Sequence, residues 1–101
     1  MKKITLFCGA GMSTSMLVNK MKQEASKQGK EYEIAAYSLS QMEIEGPGSD
    51  VILLGPQVRF AIKRVQDAFP DIPTDAIDMR TYGLMDGKGC LEIAEKMMKL
   101  D

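Results

Sequence analysis

The chain has 101 residues, of which 45% are apolar and 27% charged, with a formal net charge of −1. That length suits one compact domain, here read as residues 1–101, and the mix of apolar and charged residues is that of an ordinary globular protein. The near-neutral charge excludes the strongly basic face of a nucleic-acid binder, and the absence of histidine excludes an imidazole-based zinc site and any Cys–His dyad within the chain.

Lys2 and Lys3 open the chain like the basic start of a signal peptide, but the apolar run behind them is over by Cys8. It is too short for a signal-peptide core, and no stretch approaches a membrane span. A cytoplasmic chain is expected, in which Cys8 and Cys90 remain thiols. Ile4 to Phe7 reads as a buried first strand. Met12 or Ser13 to Gln28 reads as a helix, with Met16, Leu17, Met21 and Ala25 as its apolar positions and Gly29 as its stop. Tyr32 to Leu39 is a second strand. Ser40 to Glu45 reads as a short helical turn capped by Ser40, and residues 46–49, GPGS, as a loop. Val51 to Leu54 is apolar on both faces, as a central parallel strand should be. Gly55-Pro56 ends it. Val58 to Phe69 reads as a helix, and residues 70–73 as a linker. Ala76 to Asp78 is a minimal fourth strand, followed by a loop and a last helix from about Gly89 to Leu100.

Strands alternating with helices predict an α/β fold. The expected architecture is a single open four-stranded parallel sheet of flavodoxin-like order 2-1-3-4, with helices on both faces. Such sheets bind ligands outside the carboxyl ends of their strands, at the switch point between strands 1 and 3. Cys8 stands at that end of strand 1, and GPQVR, residues 55–59, at that end of strand 3.

The segment CGAGMSTS, residues 8–15, combines a nucleophile with an anion cradle. Gly9 and Gly11 permit close backbone approach. The first helix starts behind them, so its unpaired N–H groups and positive dipole end face Cys8. Phosphate is the usual guest of such a site, and the same field is expected to lower the Cys8 pKa. Gly9, Ala10, Gly11, Met12, Ser13, Thr14 and Ser15 are the expected phosphate-binding residues, with the three hydroxyls able to cap the helix or to donate to phosphate. A free cysteine on a strand is more often a small buried hydrophobe. The strand-end position, the two glycines and the three hydroxyls together reverse that expectation for Cys8. Cys90 has no such context and reads as packing.

Three familiar motifs come near this loop. GAGMST, residues 9–14, departs from the dinucleotide G-x-G-x-x-G at Thr14. A Walker A loop fails for want of a closing G-K-[ST]. The C-x5-R-[ST] signature of low-molecular-weight tyrosine phosphatases shares the strand-loop-helix order, but Thr14 stands where its arginine belongs. A phosphatase uses that guanidinium to neutralise developing charge. Without it a phosphocysteine should hydrolyse slowly, which suits a carrier. The alternatives are a phosphatase-like or arsenate-reductase-like enzyme using Cys8, and a non-catalytic anion-binding module. Gln57, Arg59 and Tyr82 are candidate rim residues. Asp78 would repel phosphate and is expected to cap or to point away. No metal or cofactor is called for.

CGAGMSTSMLV, residues 8–18, together with VILLGPQVRF, residues 51–60, closely resembles the IIB component of the bacterial phosphoenolpyruvate-dependent sugar phosphotransferase system, in its lactose, cellobiose and diacetylchitobiose class. The resemblance covers essentially the whole chain. It implies a phosphocysteine at Cys8 and a phosphate loop over residues 9–15. It also implies a phosphohistidine donor on a IIA partner, and a sugar acceptor carried by the membrane partner IIC. A chain without histidine fits that division of labour. The protein is expected to be a monomer when isolated and to work at the inner face of the plasma membrane through IIC.

Overall fold

The structure is a computed structural model describing residues 1–9 and 12–99, with the side chains of Met12 and Ser13 left out. Strands β1 (Lys2–Cys8), β2 (Tyr32–Ser38), β3 (Val51–Leu54) and β4 (Thr74–Ala76) form one parallel sheet in the order β2-β1-β3-β4. The helices are α1 (Met12–Lys27), α2 (Met42–Glu45), α3 (Ile62–Ala68), α4 (Met79–Gly83) and α5 (Gly87–Met97). The expected strand order is the observed one.

Side chains alternate across the sheet, as strand geometry requires. Ile4 and Leu6 of β1 and Val51 and Leu53 of β3 join Leu17, Val18, Met21, Leu91 and Ala94 in a core beneath α1 and α5. Phe7, Ile52 and Leu54 face the other way, to a second core with Met42, Val58 and Val65. β3 is therefore buried on both faces, which is why its sequence is an unbroken apolar run. Thr5 is the polar exception in β1, and its hydroxyl is satisfied by Ser49 at 2.6 Å. Helices α1 and α5 cross closely at Gly87, where a Cβ would stand 2.6 Å from the Lys20 carbonyl carbon.

Five expectations need correction. Met16 is not a core position but is 55% exposed, whereas Leu17, Met21 and Ala25 are buried. It lies one step round α1 from the stripe that faces the sheet. The fourth strand is Thr74–Ala76, not Ala76–Asp78, because pairing with Ile52, Leu53 and Leu54 ends at Ala76. Asp78 instead caps α4, accepting from the Thr81 amide at 2.9 Å and the Thr81 hydroxyl at 2.7 Å. That helix fills the first part of the expected loop. The turn after β2 begins at Leu39, and the Ser38 amide, not Ser40, is tied into it by the Gln41 side chain at 3.3 Å. The helical run after β3 also starts earlier than expected, as a tight 3-10 segment over Pro56–Ala61 that bends at Val58 before α3.

Candidate functional site

Cys8 is the last residue of β1, and its side chain is only 2% exposed. Its place is fixed by the ladders on both sides, Phe7 pairing with Tyr37 and with Leu54. One step further along, Cys8 meets Gly55 across the sheet. The Gly55 amide donates to the Phe7 carbonyl at 2.9 Å. A Cβ on Gly55 would lie 2.9 Å from Cys8 Sγ, closer than real side chains approach. Glycine is therefore required at position 55 for the sulfur to sit where it does. The sequence shows Gly55 only as a strand breaker; its contact with Cys8 arises from the register.

Three groups near the sulfur favour its thiolate: the Thr14 hydroxyl, the Gly55 backbone amide, whose N–H also donates to the Phe7 carbonyl, and the Tyr82 hydroxyl. Thr14 is buried in the first turn of α1, and its Oγ1 is 3.1 Å from Tyr82 Oη. Tyr82 comes from α4, which the Asp78 cap holds in place, and its ring packs against the α1–α5 core. Two elements far apart in sequence thus deliver a hydroxyl pair to one thiol. Thr14 occupies the place in the loop where a phosphatase would carry arginine, and no arginine is among the groups that act on the thiol.

Burial pushes the Cys8 pKa up, and the three groups only partly offset it. This corrects the expected lowering by the helix end. The reason is desolvation: a sulfur sealed between β1 and Gly55 loses more hydration than the donors return. Cys90 lies in the core on α5, and burial, with the Asp86 and Asp78 charges, pushes its thiol up to about 12. Both cysteines are free thiols, and Cys90 is packing, as expected.

The remaining candidates divide. Gly9 follows Cys8 directly, with Val58 and Gln57 beside its Cα face. Ala10 and Gly11, and the side chains of Met12 and Ser13, lie outside the described residues. Ser15 is exposed and borders a groove between α1 and β2. Gln57 and Tyr82 stand at the site; Arg59 is exposed on the 3-10 segment. No helix among the described residues is long and apolar enough to cross a membrane.

An open parallel sheet with a cysteine at the switch-point end of its first strand, ahead of a helix start, defines an α/β protein whose cysteine stands where such sheets bind ligands. Within that class the family is shown by comparison. The family "PTS system, Lactose/Cellobiose specific IIB subunit" matches residues 3–92, and the chain belongs to it. It is 45% identical over 104 residues to the PTS system galactose-specific EIIB component of Lactococcus lactis subsp. cremoris, covering 96% of each chain. It is 42% identical over 101 residues to the oligo-beta-mannoside-specific EIIB component of Bacillus subtilis, covering 97% of each. Among solved structures, the cellobiose-specific phosphotransferase IIB component protein from Borrelia burgdorferi superposes with a TM-score of 0.80 at 36% identity, over 97% of this chain and 92% of that one. The lactose-specific IIB domain from Streptococcus pneumoniae shares the fold, with a TM-score of 0.78 at 19% identity, over 95% of this chain and 96% of that one.

Proposed function

We propose that this chain, acting as one carrier domain over its whole length, accepts a phosphoryl group onto Cys8 from a phosphohistidine on a IIA partner. It then passes the group to a sugar presented by a membrane IIC partner. The observation that carries this reading is the convergence of Thr14, Gly55 and Tyr82 on the Cys8 sulfur in a IIB-family chain.

The chemistry is two displacements at phosphorus. In the first, the sulfur forms the S–P bond as the P–N bond of the phosphohistidine breaks. The bonding pair leaves with the imidazole, and the thiol proton ends on that nitrogen. In the second, a sugar hydroxyl oxygen forms the P–O bond as the S–P bond breaks, and its proton returns to the sulfur. The backbone amides of residues 9–15 are the proposed donors to the equatorial oxygens. With no guanidinium beside the sulfur, attack by water is not assisted, so the phosphocysteine persists until its acceptor arrives.

Relatives are named for galactose, cellobiose and oligo-beta-mannoside. The substrate proposed here is a β-linked disaccharide such as cellobiose or diacetylchitobiose, and the proposed location is the cytoplasmic face of the membrane at IIC. The test is a reconstituted assay of IIC-containing vesicles, the general phosphotransferase proteins, a IIA partner and phosphoenolpyruvate. Phosphorylated cellobiose should form with the native protein and not with Cys8→Ser. Release of phosphate from an aryl phosphate, without sugar phosphorylation, would move the chain to the phosphatase-like class.

A further inference from the structure

The turn that follows β3 brings a third polar side chain, that of Gln57, near the sulfur. The missing Cβ of Gly55 leaves a gap, and two atoms flank it: Cys8 Sγ, 2.9 Å from the Cβ position, and Gln57 Oε1, 2.6 Å from it. The Cβ position of Gly9 lies 4.0 Å from Gln57 Cβ and 3.7 Å from Val58 Cγ1. Gln57 therefore stands over both Cys8 and Gly9.

Its placement is rigid at the backbone and free at the tip. Pro56 fixes one torsion of the turn, the Val58 amide closes it on the Gly55 carbonyl at 3.0 Å, and Val58 is buried beneath. Gln57 itself is exposed, so a docking protein can reach it. A carboxamide carries a donor and an acceptor, and rotation about its last bond presents either.

We infer that Gln57 is a catalytic residue of the phosphoryl transfer, its carboxamide N–H donating to a phosphoryl oxygen on Cys8. This rests on the proposed carrier function and adds a side-chain contact to it. A neutral amide steadies the transferring group by hydrogen bonding, yet lacks the cationic charge that would favour hydrolysis. It fits a site that must accept and release phosphate with equal ease. Arg59, two residues on, has the stronger charge, but it is exposed on the 3-10 segment and no contact with Cys8 is found among the described residues.

The test compares native protein with Gln57→Ala and Gln57→Glu. Transfer from a phosphorylated IIA partner is followed by intact mass in rapid-quench samples, and Cys8 alkylation by iodoacetamide is measured on the same preparations. Transfer in Gln57→Ala should slow by about tenfold or more while alkylation is unchanged. Gln57→Glu should slow it further, because a carboxylate repels the incoming phosphoryl oxygens. Unchanged transfer in Gln57→Ala overturns the inference while leaving the carrier function intact. A transfer loss matched by an equal loss of alkylation assigns the effect to a disturbed loop and overturns it as well. A native protein that never gains a phosphoryl group on Cys8 removes the carrier function and this inference together.

Discussion

Burial raises the Cys8 thiol pKa, while the Thr14 hydroxyl, the Gly55 amide and the Tyr82 hydroxyl pull it down. The balance can be tipped one donor at a time. Tyr82→Phe removes one hydroxyl and keeps the ring that packs on the α1–α5 core. The thiolate then loses a donor, so the pKa rises further. Alkylation of Cys8 by iodoacetamide should shift its midpoint to higher pH and slow by about threefold to tenfold at fixed pH near 8. An unchanged profile would show that the hydroxyl does not act on the sulfur. Of this site, Cys8 and Thr14 are legible in the sequence, because strand end and helix start are neighbours along the chain. Tyr82 stands out only as a rim candidate and Gly55 only as a turn residue. Their contacts with Cys8 depend on strand register and on the docking of α4, which no local pattern encodes.

Among the elements, α5 is tied to the sheet edge by a buried carboxylate. Glu95 accepts from Tyr32 Oη at 2.6 Å and from Lys30 Nζ at 2.5 Å, linking the last helix to the start of β2. Burial raises its pKa, but the hydrogen bonds from Lys30 and Tyr32 and the Lys30 charge outweigh it and leave the carboxyl below its ordinary value. Burial, and then the hydrogen bond to Glu95 and its charge, push Tyr32 up to about 12, so it stays a donor at all physiological pH. A carboxyl with a depressed folded pKa stabilises the fold above its unfolded pKa, and that contribution is lost as pH falls through the folded value. Glu95→Gln should therefore cost about 1 kcal/mol at pH 7, the Lys30 share being reduced by solvent. The gap from native protein should narrow in acid, as pH falls through the lowered Glu95 pKa. Urea unfolding at pH 7 and in acid checks it, and a gap that persists in acid would assign the loss to packing. The sequence shows Glu95 only as one charge on a solvated helix face. Its burial follows from the end of α5 coming within reach of Lys30 and Tyr32, a consequence of tertiary packing and not of helical periodicity.

Over the whole molecule, the sheet separates two cores that share β1 and β3. Leu53 belongs to the core under α1 and α5, Leu54 to the core on the opposite face, and both are fully buried. Leu53→Ala and Leu54→Ala should each cost about 2–5 kcal/mol. Each should lower the midpoint of one shared unfolding transition seen by circular dichroism, since neither core can stand without the sheet. Separate transitions would contradict this. Strand order was legible because apolar runs alternate with helical patterns and because β3 is too apolar to be an edge. The short β4 lies two residues before its expected place, since three residues carry too little pattern to fix their own ends. The central claim, that Cys8 carries the phosphoryl group, is tested most directly by intact mass after incubation with phosphoenolpyruvate, the general phosphotransferase proteins and a IIA partner. The native protein should gain one phosphoryl group and Cys8→Ser none. Gain by both proteins, or by neither with several IIA partners and a folded chain, would contradict it.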